Sequence, residues 1–125
     1  MREIKFRAWY KYGKKMIDLY KITPLALADH NGTMNGLFLP FDKNINLMQY
    51  TNLKDSKGVE IYEGDIVRFW IDNIEEVSEV FFECGCFSVK TKNTDPYYHP
   101  CLGVVEFVEI IGNLYENPEL LPGKE

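Results

Sequence analysis

Apolar and polar side chains alternate from the start of the chain. Ile4, Phe6, Ala8 and Tyr10 occupy the even positions, and between them stand Lys5, Arg7, Trp9 and Lys11. A period of two is typical of a β-strand with one buried face, so we predict a strand over residues 3–10. The Gly-containing stretch 11–14 then predicts a turn, and the apolar and aromatic residues of 15–22 predict a second strand. A hairpin is therefore expected to open the fold.

Short apolar runs separated by turn residues continue this pattern. Pro residues and Asn-Gly pairs interrupt every run between residues 24 and 44, so we expect a loop there with a short helical turn near 25–28. A second loop is expected over 95–100. The other β-branched and aromatic runs predict strands over 45–50, 59–62, 66–71 and 104–111. Turns are predicted at Asp55-Ser56-Lys57-Gly58 and Glu63-Gly64-Asp65.

Residues 72–83 are compatible with two structures. Asp72 followed by Glu75 resembles a capping box, and several apolar residues after it fit helical spacing. Val and Phe are poor helix formers, however, and Cys84-Gly85 can reverse the chain into residues 87–90. We therefore favour a hairpin over a helix.

The last predicted element is a short helical turn near the C-terminus. Asn117 is placed as its N-cap, Pro118 occupies the first helical position and Glu119 lies in the first turn. Leu120 and Leu121 are expected to hold this turn against the core.

The alternation also predicts which side chains are buried. Along the last strand, Glu106 and Glu109 mark the positions that face water. The predicted core consists of Phe6, Ile61, Ile66, Val67, Phe69, Val105, Phe107 and Ile110.

Length and composition narrow the class of protein. The 125 residues are 46% hydrophobic and 26% charged, which predicts one folded domain over 1–125 rather than a disordered or fibrous chain. No run of eighteen apolar residues and no signal-peptide pattern occurs in the sequence, so we expect a soluble cytoplasmic protein without a membrane partner.

Three sequence blocks resemble one protein family. The first is residues 1–9 together with Met16-Ile17, and the third is residues 111–121. The second combines residues 47–51, 53–55 and Gly58 with Glu60-Ile61-Tyr62-Glu63-Gly64-Asp65-Ile66-Val67. Their order and spacing resemble the YopX family of phage and prophage proteins. One departure is Asn52, where the family more often has Gly; Asn also tolerates left-handed backbone, so we expect the local turn to persist.

The resemblance implies a fold and a genomic setting rather than an activity. The implied fold is mostly β and YopX-like, and we expect a strongly bent antiparallel sheet with a short C-terminal helical turn. The Glu-Gly-Asp turn before Ile66-Val67 is similar to turns that start strands in SH3-like barrels, so a small SH3-like barrel element is also expected. No catalytic or binding residues come with the family motif.

The charge distribution suggests one binding hypothesis. Residues 1–21 contain 7 basic and 2 acidic residues, a net +5, so the remaining 104 residues carry −10. Cations and a stacking ring on one strand face could bind nucleic acid, and the candidate residues are Arg2, Lys5, Arg7, Trp9 and Lys11. A charged solvent face or a guarded edge strand would look the same in sequence, and the acidic remainder would repel phosphate.

Cysteine and histidine offer a second candidate site. Cys84, Cys86, His99 and Cys101 have the ligand types of a Cys3His zinc site, but one residue between paired cysteines is not the usual zinc-knuckle spacing. Three cysteines without an export signal also make a disulfide framework improbable. We therefore predict reduced, partly buried thiols and no metal.

We expect binding rather than catalysis. Only His30 and His99 are available as histidine bases, and the sequence contains no recognisable nucleophile motif or phosphate loop. The 18 aromatic residues exceed what a small core easily buries, and Trp9 and Tyr97-Tyr98 are placed where we expect solvent. We predict a non-enzymatic module without a cofactor that binds a protein partner or its own copies, with nucleic-acid binding as the alternative.

Overall fold

The computed structural model describes residues 4–19, 45–92 and 99–121. Strands account for 57% of these residues and helical turns for 7%, so the predicted mostly-β class is confirmed. The predicted loop over 24–44, its helical turn and Tyr97-Tyr98 lie outside the described residues. Nine strands are described: β1 Phe6–Tyr10, β2 Lys15–Leu19, β3 Ile45–Lys54, β4 Glu60–Tyr62, β5 Asp65–Ile71, β6 Ile74–Glu79, β7 Phe81–Glu83, β8 Cys86–Ser88 and β9 Glu106–Asn113.

The chain divides into two compact units, residues 1–50 and 51–125. In the first unit, β1 pairs antiparallel with β2 and with the first half of β3. Ala8 is fully buried in the middle of β1, opposite Ile17 on one side and Leu47 on the other. Phe6 and Tyr10 pack around it, so the even-numbered face of β1 is the inner one, as the alternation predicts. Ile4, which the same alternation assigns to that face, is 68% exposed because it precedes the strand. The single-domain and SH3-like details stay predictions.

The second unit is built around β5. This strand is the centre of a three-stranded antiparallel sheet with the order β6-β5-β9, and β7 and β8 form a separate hairpin. Of the predicted core residues, four are fully buried and two pack against the cluster from partly buried positions. The buried ones are Ile61, Ile66, Val67 and Phe69, and the partly buried ones are Val105 and Ile110.

Phe107 was wrongly assigned to the core, since 72% of the residue is exposed. Between Arg68 and Trp70, the β5–β9 register slips by one residue. An extra residue in one strand forms a β-bulge and reverses which side chains face the core. Phe107 has a left-handed φ of 52° within this stretch, and its ring therefore faces outward.

Two-residue turns join the strands of the second unit. Asp72 and Asn73 both have positive φ, at 51° and 65°, and connect β5 to β6. Cys84 and Gly85, at 51° and 83°, connect β7 to β8. Left-handed backbone at both central positions is the geometry of the tight turns that match strand twist. The hairpin at Cys84-Gly85 is confirmed, and the helical alternative for 72–83 is wrong.

Other local predictions are confirmed with one exception. Asn52 has a φ of 67°, so it adopts the left-handed backbone for which the family more often uses Gly. A 3-10 turn runs from Pro118 to Leu120 at the predicted position. Leu121, the extended residue that follows the turn, is buried as predicted, whereas Leu120 at the end of the turn is exposed.

Candidate functional site

The predicted basic face lies on the first unit. Lys5, Arg7 and Trp9 are half-buried, and Lys11 is exposed. They alternate with the inner face around Ala8, so they share the other side of β1. The Lys5 ammonium lies 5.1 Å from the centre of the Tyr50 ring, a cation–π contact within the protein. Arg2 lies outside the described residues, and whether this face binds nucleic acid stays a prediction.

The cysteines correct the predicted redox state. Cys86 and Cys101 form a disulfide with their Cα atoms 6.1 Å apart, and Cys84 is a free, exposed thiol. Spacing along the chain could not predict this pair, because Cys101 is brought to β8 by an antiparallel bridge to Ser88. His99 is paired with a carboxylate, since its Nδ1 lies 2.6 Å from Glu83. In the described parts of the chain, no three His, Cys, Asp or Glu side chains are grouped to hold a metal ion.

A groove of about 310 Å³ opens on the second unit beside Phe107. We call it the Phe107 groove. Its apolar lining comes from β3, β4, the 3-10 turn Leu102–Val104, the residue that follows this turn, and β9. The residues of this lining are Leu53, Ile61, Leu102, Val105, Phe107 and Val108.

A smaller hollow of about 60 Å³ is also lined by Phe107. Trp70 forms part of its wall and is 39% exposed. Asp72 and Glu106 contribute carboxylates, and Glu106 lies directly opposite Trp70 in the β5–β9 pairing. The hollow thus combines two aromatic rings with two acidic groups, and Phe107 is shared between hollow and groove.

The groove wall near Asp55 is held by a buried carboxylate. Its Oδ1 accepts hydrogen bonds from the N–H groups of Lys57 and Val59, both at 2.9 Å. Its Oδ2 accepts one from the N–H of Ile110 at 3.1 Å, which fastens the turn to β9. Burial raises the pKa of Asp55, but these backbone donors and the Lys57 charge outweigh burial, so its pKa lies below the ordinary value.

Charged pairs hold the solvent side of β9. Glu109 accepts from Lys57 at 3.1 Å and also pairs with Arg68, which lies 3.5 Å from Glu75. The hydrogen bond from Lys57 is the main reason that the pKa of Glu109 lies below its ordinary value. Lys57, Arg68 and Glu75 are exposed and Glu109 is half-buried, so these pairs orient the surface more than they stabilise the fold.

Sequence reasoning missed Phe107 and Trp70 as surface residues, although one signal was present. Val105 and Phe107 are apolar at odd positions, whereas Val108 and Ile110 are apolar at even positions. A change of phase within one strand is what a one-residue bulge produces. The residues that pack on the core are Val105, Val108 and Ile110, which places the break at Phe107.

The fold and the surface around Phe107 describe a mostly-β protein with two compact units, the second of which exposes aromatic side chains. The described residues contain no helix with the length and apolar character needed to cross a bilayer. The family model described as YopX protein matches residues 5–122, so the chain belongs to the YopX family.

Relatives agree with this assignment. The chain is 40% identical over 72 residues to the SPbeta prophage-derived uncharacterized protein YopX of Bacillus subtilis (strain 168), a match that covers 54% of each chain. The chain thus spans about half the length of that curated relative. The crystal structure of protein EF1440 from Enterococcus faecalis is 29% identical with a TM-score of 0.61, covering 97% of this chain and 99% of that one. The crystal structure of yopX from Bacillus subtilis is 28% identical, also with a TM-score of 0.61, covering 94% and 97%.

Proposed function

We propose that this YopX-family chain is a non-enzymatic binding module of a phage or prophage, and that it engages a protein partner through the surface around Phe107. The observation that carries the proposal is Phe107 itself. An aromatic residue with left-handed backbone and 72% exposure contributes little to the core and lines both a groove and a hollow. Backbone strain at an exposed residue is a recognised mark of a functional position.

The energetics favour a protein as the ligand. Burying a phenylalanine side chain contributes about 1.5–3 kcal/mol. Trp70, 39% exposed beside it, is of the residue type most enriched among the dominant contacts of protein interfaces. The Asp55 hydrogen bonds fasten the groove wall before any partner arrives, so little ordering is required on binding.

The charges at the hollow define what the partner presents. Asp72 and Glu106 are exposed carboxylates beside the Trp70 and Phe107 rings. A Lys or Arg side chain would gain from both the carboxylates and the aromatic faces. The occupant we propose is therefore a protein segment with an apolar side chain for the groove next to a basic side chain for the hollow.

Site-specific photo-crosslinking tests the surface. A benzophenone side chain at position 107 is expected to crosslink one partner during phage growth, whereas the same group at position 82 is not. Phe82 is a matched control because it is also an exposed aromatic strand residue, at 54%, on the separate β7–β8 hairpin.

The crosslinked partner is then purified and its affinity is measured. Phe107→Ser is expected to weaken binding about 30-fold, the effect of losing a dominant interface residue, and Phe82→Ser to leave it unchanged. Equal crosslinking at both positions, or equal affinity of the two variants, would contradict the proposal. If the partner proves to be a second copy of the chain, sedimentation velocity will show an oligomer that Phe107→Ser dissociates.

Nucleic-acid binding through β1 is the second candidate, favoured by the shared face of Lys5, Arg7 and Trp9. Contacts to phosphate release counterions, so affinity for DNA or RNA would fall by orders of magnitude between about 50 and 200 mM salt. Arg7→Glu would abolish such binding. If no nucleic acid binds at the lower salt, this candidate is rejected, and the Phe107 test is unaffected.

A further inference from the structure

We infer that the Cys86–Cys101 disulfide is a reversible thiol–disulfide site that controls one wall of the Phe107 groove. An effect of reduction on partner binding rests on the proposed function, whereas an effect of reduction on the structure of the groove wall does not. The reductant is any dithiol: one thiolate attacks one cysteine sulfur, which forms a mixed disulfide and releases the other cysteine as a thiol. The second thiolate of the dithiol then attacks the mixed disulfide and releases the first cysteine. The dithiol is oxidised by two electrons, and Cys86 and Cys101 become thiols.

The disulfide fastens one short segment to β8. Cys101 lies opposite Ser88 in an antiparallel bridge, and the Val89 N–H donates to the Pro100 carbonyl at 3.1 Å. The disulfide adds a covalent tie between Cys86 and Cys101 at the same place. The position of Cys101 is therefore set by the hairpin.

Cys101 leads directly into the groove. Leu102 and Gly103, the next two residues, line it, and Val105 follows. The 3-10 turn starts at Cys101, whose carbonyl accepts from the Val104 N–H at 3.1 Å. Leu102 is 2% exposed and belongs to the same core cluster as Phe87, the neighbour of Cys86. A displacement of Cys101 thus reaches the groove wall within one or two residues.

Access and nearby chemistry make the bond exchangeable. Both disulfide cysteines are partly exposed, so an attacking thiolate can reach them. Exposed disulfides are the labile ones, whereas structural disulfides resist reduction. Cys84 is an exposed thiol two residues from Cys86, in the same hairpin turn.

Contacts of His99 keep this residue at the hairpin after reduction, so Cys101 can shift and still remain close enough to Cys86 to be oxidised again. His99 Nδ1 lies 2.6 Å from Glu83, the cross-strand neighbour of Cys86, and the His99 ring packs edge-on against Phe81 with centroids 5.2 Å apart. These contacts do not depend on the disulfide. The two sulfurs therefore stay near each other and can be oxidised again.

Alkylation with mass mapping tests the site. Native protein treated with iodoacetamide is expected to be labelled only at Cys84, and pretreatment with dithiothreitol is expected to add Cys86 and Cys101. Removing dithiothreitol and adding oxidised glutathione should restore the first pattern. Labelling of Cys86 and Cys101 without reductant would overturn the inference, and so would resistance of the native disulfide to dithiothreitol.

Amide NMR spectra of the two redox states test the coupling. Shifts are expected in residues 102–108 as well as around the cysteines, and Cys101→Ser should give the reduced pattern under both conditions. Cys84→Ser is the matched control and should switch like the natural chain. Changes confined to 84–88 and 99–101 would refute control of the groove. This experiment needs no partner, so its failure is distinguishable from failure of the proposed function.

Discussion

Two side chains of the second unit depend on unusual local environments. Phe107 places an aromatic ring on left-handed backbone, where residues other than Gly meet a steric penalty of about 1–2 kcal/mol. Asp55 keeps a carboxylate in a buried turn, where only hydrogen-bond donors make its charge tolerable. The backbone at Phe107 exposes its ring, whereas Asp55 holds a turn in place. Substitutions at the two positions are therefore expected to change the free energy of unfolding in different ways.

At position 107, Gly is expected to be more stable than Ala by about 1 kcal/mol, because Gly adopts positive φ without the Cβ penalty. Urea unfolding of Phe107→Gly and Phe107→Ala measures the difference. The same pair at Phe82, a strand residue without positive φ, should show the ordinary order with Ala more stable. Ala above Gly at both positions would mean that Phe107 is not strained.

Asp55→Ala is expected to lower the free energy of unfolding by about 1–3 kcal/mol, because buried backbone N–H groups lose their acceptor. The free energy of unfolding at low pH provides a second test. The pKa of Asp55 is lowered by folding, so its stabilisation is present above the unfolded pKa of about 3.9 and is lost as pH falls through the lower folded value.

Urea titrations at neutral pH and at about pH 3 separate the two effects. Asp55→Asn removes the charge and should flatten the acid dependence relative to the natural chain. Asp72→Asn, at an exposed turn position, serves as the control and should retain it. If Asp55→Asn and the natural chain lose the same stability between neutral pH and about pH 3, the Asp55 charge does not contribute to the free energy of unfolding.

Strands were predictable where one rule acted along the whole element. Alternation correctly identified β1 and its inner face around Ala8, and a run of β-branched and aromatic residues correctly identified β5. The turn at Asp72-Asn73 was missed because neither residue is Gly, although Asn and Asp tolerate left-handed backbone. β9 was found as a strand, but its bulge moved Phe107 from the predicted core to the candidate site, so the site escaped prediction with it.

The end of β9 is expected to be intolerant of a single methyl group at Gly112. A Cβ there would lie 2.7–2.9 Å from the Asn117 side chain, whose Oδ1 accepts from the Asn113 N–H at 3.2 Å. Overpacking of this kind costs about 1–3 kcal/mol. Gly112→Ala should therefore lower the urea midpoint, whereas Gly103→Ala, with nothing within 4 Å of its Cβ, should not. Equal midpoints would refute the close contact.

Across the second unit, the decisive contacts join residues that are far apart in sequence. Asp55 reaches Ile110, Glu83 reaches His99, and Cys86 reaches Cys101. None of these pairs follows from periodicity, which reports only on neighbours along one element. The cysteine prediction failed for this reason: it weighed the number of thiols and the absence of an export signal, whereas the bridge between Ser88 and the 99–101 segment decides the pairing.

The disulfide should be visible in the stability of the whole chain. It closes a loop with a sequence separation of 15 residues, and the loss of such a constraint on the unfolded chain costs about 3 kcal/mol. Urea unfolding with and without dithiothreitol is expected to differ by that amount in the natural chain and in Cys84→Ser, but not in the double variant Cys86→Ser, Cys101→Ser. A dithiothreitol effect that persists in the double variant would assign the stabilisation to something other than this bond.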